Sequence, residues 1–216
     1  MYKKLRFLFV LSLVGIVLLN YPIIAQSLTN TKIDELYTYI NKYTKLINDQ
    51  FVYVDTKTQT MFIIKNKKIT KEFVISTGKN GSGFEAVSGS GKTPFGLLKI
   101  SNKIGEGADI GQVFKRKRIT DKTARIYKKG DNYPADITDD VTTRLLVLEG
   151  CEPGINKGRN KNNKIVDTFY RAIYIHGTNN ESALGTPASH GCIRLYNQEV
   201  IELFNIVEVG TLVLIL

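Results

Sequence analysis

Cysteine and histidine are scarce in this chain, with two of each among 216 residues. Two cysteines exclude a framework of several disulfides, and a fold of this size does not need one. A single bridge between Cys151 and Cys192 stays open as an alternative, because an exported protein meets oxidising surroundings. The few histidines limit metal binding as well. His176, His190 and Cys192 would be the whole ligand set, and the run His190–Gly191–Cys192 crowds two of them into a tripeptide. Acidic residues are absent from the first 25 positions. Internal repeats are also absent. The N-terminal apolar run, Leu5 to Leu19, is cut off by Asn20 and Pro22 and falls short of the ~20 residues of a stable membrane span.

What the N-terminus does contain is an export signal in three parts. Lys3, Lys4 and Arg6 form a basic head, the apolar run follows, and small or polar residues at Ala25–Gln26 suit cleavage. The alternative is an uncleaved anchor over residues 5–25. Either way the chain is expected in the periplasm or cell wall. No cysteine stands where a lipid would be attached. The net charge of +10 falls to +7 without this segment, so the remainder should favour polyanionic surroundings. With 43 % hydrophobic and 23 % charged residues, the chain is globular rather than disordered.

Periodicity then divides the chain. Ile33, Leu36, Tyr37, Ile40, Tyr43 and Ile47 recur every three or four positions, which predicts a helix over 31–47. From Phe51 the period is two, and three short strands are expected, with turns near 56–58 and 65–68. Residues 78–96 are rich in glycine and serine. "GSGKT" at 89–93 superficially matches a phosphate loop, but Ala86 stands where that motif needs its first glycine, and Pro94 opens a strand rather than a helix. A mobile loop flanking a cleft is the better reading. "FKRKR" at 114–118 lacks interleaved aromatics and follows an export signal, so nucleic acid is not expected. It reads as a solvated basic loop, with contact to membrane or anionic wall polymers second. Residues 104–140 have little periodicity and suggest long loops with short elements. Strands are expected at 143–150 and 168–177, the latter with Tyr170, Ala172, Tyr174 and His176 on one face. Asn197 is placed as the N-cap of a last helix, and "TLVLIL" closes the chain as a buried strand.

Half the histidine and half the cysteine lie in "ASHGCIRL", 188–195, and the other histidine ends "IYIH" at 176. A free thiol is mostly protonated at neutral pH, and a nearby imidazole can accept its proton. Gly191 leaves room for a carbonyl to approach the sulfur and frees backbone N–H groups for an oxyanion hole. Arg194, two residues after Cys192, would share its face on a strand and could hold a carboxylate in a fork. A metal site, a disulfide and a purely structural role remain alternatives at this point. None of them uses the arginine.

"IHGT" followed sixteen positions later by the cysteine of "SHGCIRL" resembles the signature of the L,D-transpeptidase catalytic domain family, the YkuD type. "VYVDTKTQTMFIIKNKKI", "FVISTGK" and "KTPFGLLKI" are similar to its opening strands, and "YNQEVIELFNIVEVGTLVLI" to its closing helix and strand, so the likeness covers 51–216. Three segments follow: a signal at 1–25, a helix at 26–50 and the catalytic domain at 51–216. The resemblance implies a mostly β, sandwich-like domain with a few short peripheral helices. It implies Cys192 as nucleophile, His176 as its base and the main chain of Gly177 as what orients the ring. Ser189, His190 and Gly191 would shape the pocket and oxyanion hole, and Arg194 would hold the substrate carboxylate. The substrate would be a peptidoglycan tetrapeptide stem, attacked at its third residue with loss of D-alanine and passed to an amine of a second stem. No cofactor is implied, and carbapenem-type β-lactams would be covalent inhibitors. L,D-carboxypeptidase action, tethering of a protein to the wall and a non-catalytic wall-binding module remain alternatives. The basic stretch 103–165 departs from the family core and could cap the cleft.

Overall fold

The structure, a computed structural model, describes residues 28–45 and 49–216. The expected signal segment lies outside them. None of the helices among the described residues is long and apolar enough to cross a membrane.

Helix α1 (Asn30–Asn41) starts where the Thr29 side chain accepts the Lys32 N–H at 3.2 Å. Ile33, Leu36, Tyr37 and Ile40 are its buried stripe. It stops short of the expected 31–47. Tyr43 lies past its end and is exposed, and Ile47 is outside the described residues. The strands β1 (Gln50–Asp55), β2 (Thr60–Lys65) and β3 (Lys68–Val74) form the antiparallel meander the alternation predicts. Asp55 accepts the Lys57 and Thr58 N–H groups at 3.0 and 3.2 Å and so closes the first turn. Asn66 and Lys67 both take positive φ in the second, as a two-residue hairpin turn demands.

Next come two-residue strands β4 (Ser82–Gly83) and β5 (Thr93–Pro94), then β6 (Gly96–Ile104), β7 (Gln112–Lys115), β8 (Arg118–Thr123), β9 (Val141–Gly150), β10 (Tyr174–Thr178) and β11 (Ile193–Leu195). Helix α2 (Asn197–Ile206) and β12 (Leu212–Ile215) end the chain. The large sheet runs β11-β10-β9-β6-β12-β1-β2-β3, with the β7–β8 hairpin attached to β9. The C-terminal strand therefore sits in mid-sheet, parallel to β1 and antiparallel to β6. That position explains its unbroken apolar run, since Val213 and Ile215 enter one core and Leu214 the other.

The first core lies against one face of the sheet, and α2 contributes Val200, Leu203 and Phe204 to it. The sheet's outer face is covered in two places. Helix α1 packs over β1, β2, β6 and β12, and the β7 hairpin covers Leu145 and Val147. Two expectations change here. "FKRKR" is the tip of a hairpin, with Phe114 buried and Arg116–Lys117 forming its positive-φ turn. The 103–165 stretch supplies β7 and β8, short elements of the kind expected over 104–140, and β9, the strand expected at 143–150, which lies inside the sheet. The strand expected over 168–177 begins only at Tyr174. Ala172 adopts φ 55° and breaks it, leaving Tyr170 exposed on a turn.

Candidate active site

β10 and β11 run side by side in parallel, with Ile175 opposite Ile193 and His176 opposite Arg194. Ile175, Ile193 and Leu195 point into the first core. Alternation therefore turns His176 and Arg194 to the outer face, and Cys192, just before β11, falls diagonal to His176. The Cys192 thiol donates to the Ala172 carbonyl at 3.4 Å. Burial pushes this thiol up to about 11, against the pull of the Tyr174 N–H and the Arg194 charge.

His176 is 3 % exposed. Its Nδ1 lies 2.7 Å from the carbonyl oxygen of Gly177, which can only accept, so Nδ1 carries the proton and Nε2 is left as the acceptor. Burial lowers this imidazole to about 4. Thiol and imidazole are thus both neutral at neutral pH, each for the same reason. Gly177 sits at a register shift against β9, and a Cβ there would come within 2.5 Å of Asn197 Oδ1. The close backbone approach that turns the carbonyl to the ring needs a glycine.

The loop before Cys192 is stapled from inside. The Ser189 hydroxyl donates to the Cys192 carbonyl at 2.6 Å and accepts the Gly191 N–H at 3.0 Å. That N–H is therefore engaged, not free as the sequence suggested. Gly191 has φ 121°, and a Cβ would stand 2.9 Å from the Lys92 carbonyl. The glycine-rich segment does flank the site, and the Thr93 hydroxyl donates to the Gly191 carbonyl at 3.0 Å. Arg171, which the sequence did not single out, ties the next wall together by donating to the Ala86 and Lys92 carbonyls at 2.6 and 2.7 Å.

Arg194 is 2 % exposed and already holds a carboxylate. Its Nη2 pairs with Asp139 Oδ2 and also donates to the Ala188 carbonyl at 3.2 Å. The same Asp139 oxygen lies 3.6 Å from Nδ1 of exposed His190, whose Nε2 is 3.4 Å from Lys79 Nζ. Asp139 is 55 positions from its partner, in the stretch with the weakest periodicity, and no sequence signal marks it. Asn197 differs from expectation as well. Tyr196 holds the cap position, while the Asn197 side chain turns inward. Its Oδ1 accepts from Thr142 at 2.7 Å, and its Nδ2 donates to the Thr178 carbonyl and Glu181 at 2.8 and 2.7 Å. It pins β9, β10 and α2 together.

Both cysteines are free, and Cys151 packs against the α1 core, away from this loop. Among the described residues no three His, Cys, Asp or Glu side chains converge as metal ligands.

The candidate L,D-transpeptidases YqjB and YkuD of Bacillus subtilis (strain 168) are each 56 % identical to the chain, over 45 and 41 residues. Those stretches are 21 % and 19 % of this chain, and the chain spans only about a quarter of the relatives' length, 26 % and 25 %. An L,D-transpeptidase from Mycobacterium smegmatis superposes with TM-score 0.44 at 15 % identity, covering 78 % of this chain and 58 % of that one. L,D-transpeptidase 3 from Mycobacterium tuberculosis, in complex with a faropenem-derived adduct, gives 0.43 at 15 % identity, covering 77 % and 60 %. The family model of the L,D-transpeptidase catalytic domain, YkuD, matches residues 49–215. On that match, which takes in the whole β-sheet and the Cys192 loop, the chain belongs to the L,D-transpeptidase catalytic domain family.

Proposed function

We propose that the chain is an exported peptidoglycan L,D-transpeptidase that works through Cys192. The observation that carries the reading is the neutral pair formed by His176 on β10 and Cys192 just before β11. A thiol lies diagonal to an imidazole whose Nδ1 proton is committed to Gly177, so only Nε2 is available to take the thiol proton. With the thiol near 11 and the imidazole near 4, no ion pair forms in advance. Proton transfer accompanies attack.

Sγ bonds to the carbonyl carbon of the third stem residue as its proton moves to His176 Nε2, and the carbonyl oxygen becomes an oxyanion. Collapse breaks the bond to D-alanine, whose amine takes the proton from His176. The amine of a second stem then attacks the thioester, His176 accepts its proton, and Cys192 leaves and is reprotonated. The product is a 3→3 cross-link. Burial of the imidazole and partial burial of the thiol support this order, because desolvation disfavours the charged resting forms.

The test is mass spectrometry of the protein incubated with disaccharide tetrapeptide, with Cys192→Ala as control. Loss of D-alanine together with a 3→3 dimer is expected, as is a covalent carbapenem adduct on Cys192. Tripeptide alone would make the enzyme an L,D-carboxypeptidase or a protein-tethering enzyme lacking its partner. No product and no adduct would leave a non-catalytic wall-binding module.

A further inference from the structure

We propose that Asp139 is a specificity-determining residue, an internal carboxylate that occupies Arg194 and so prevents that guanidinium from reading the terminal carboxylate of a donor peptide. The proposal rests on the acyl-transfer reading only for the identity of the donor.

The position of Asp139 is built rather than incidental. Asn179, 1 % exposed, donates to the Thr138 carbonyl at 2.8 Å and accepts the Asp140 N–H at 3.0 Å. One side chain at the end of β10 thus clamps the backbone on both sides of Asp139. The next residue, Asp140, is 5 % exposed and pairs with Lys122 at 3.1 Å. The segment is fixed a second time where the Tyr127 N–H donates to the Asn179 carbonyl at 2.8 Å and the Tyr127 carbonyl accepts the Ser182 N–H at 3.1 Å. Tyr133 packs edge-on against Tyr127 at 5.2 Å. All of this holds the carboxylate over the outer face of β11.

The pair it makes leaves capacity unused. Asp139 Oδ1 and Arg194 Nε are both buried without a hydrogen-bond partner. A fork-shaped guanidinium that could grip a carboxylate with two parallel bonds is instead held through one nitrogen and one oxygen. Arg194 is the charge nearest in sequence to Cys192, and its field reaches both Cys192 and His176, as does that of Asp139. A donor carboxylate arriving beside Cys192 meets a cation already neutralised, and the resident carboxylate repels it. Removing the Asp139 charge without changing its shape frees the guanidinium for the ligand.

The experiment is equilibrium binding to full-length Cys192→Ala protein, with and without Asp139→Asn. The probes are two disaccharide tetrapeptides, one ending in D-alanine and one in D-alaninamide. With Asp139 present the two dissociation constants should agree within about threefold. With Asp139→Asn the free acid should bind about tenfold more tightly than the amide. Asp139→Ser is the second variant, and melting curves show which of the two is folded. A tenfold preference for the free acid that already exists with Asp139 in place overturns the proposal. So does an unchanged ratio in the folded variant, or binding of neither peptide to it. Failure of the acyl-transfer reading would appear in the turnover assay and leave this comparison intact.

Discussion

His176 shows how one buried residue couples chemistry to stability. Its imidazole, ordinarily near 6.5, is lowered to about 4 by burial. Above pH 6.5 folded and unfolded forms are both neutral and the residue contributes nothing to the pH dependence. As pH falls from 6.5 to 4, the unfolded chain takes up a proton that the folded chain refuses. Stability is lost over that window, at ~1.4 kcal/mol for each pH unit crossed, or about 3 kcal/mol in all. Glu199, raised to about 7 by burial and by Glu202 and Glu181, acts in the opposite sense. The contribution of His176 is therefore the difference between wild type and His176→Gln in urea titrations from pH 4 to 7. Wild type should lose about 3 kcal/mol relative to the variant as pH falls from 6.5 to 4; parallel curves would mean that the ring is not held neutral.

At the scale of elements, the site depends on how β9, β10 and α2 are joined. Asn197 is the joint, with its amide shared among Thr142, the Thr178 carbonyl and Glu181. Losing it strands several buried polar groups at once, each costing about 1–3 kcal/mol. Asn197→Ala should therefore lose about 3 kcal/mol, read as a drop in Tm of roughly 6–12 °C for a chain of this length. A plain helix cap would cost only about 1 kcal/mol. A melt showing that smaller loss would return Asn197 to the role its sequence position suggested.

Across the whole molecule, α1 is integral to the described body, because its four buried residues share a core with β1, β2, β6 and β12. Cleavage after residue 25 would leave this helix intact, with Thr29 still able to cap it. We propose export with removal of the basic, apolar N-terminal segment. Full-length protein expressed in a bacterium should be recovered from the envelope fraction with an N-terminus near Gln26, read by intact mass. An uncut chain in the membrane fraction would mean anchoring instead, and an uncut chain in the cytosol would defeat the export reading.

Features that depend on short spacing were legible along the chain. The period-two runs mark β1 to β3, the unbroken "TLVLIL" marks a buried strand, and "SHGCIRL" with His176 brings the thiol, just before β11, beside the strand that carries the imidazole. These features are written in neighbouring residues, and periodicity registers them. Legibility ran out where the partner is remote. Ala172 looked like strand until its positive φ broke the run, and Asn197 looked like a cap because Thr142 and Thr143, whose hydroxyls donate to its Oδ1, lie 55 and 54 positions away. Asp139 carried no mark at all. Only the pairing of β9 with β10, and the grip of Asn179 on the segment before β9, set that carboxylate on Arg194. A charge pair formed over such a distance is decided by how the sheet closes, not by any pattern along the chain.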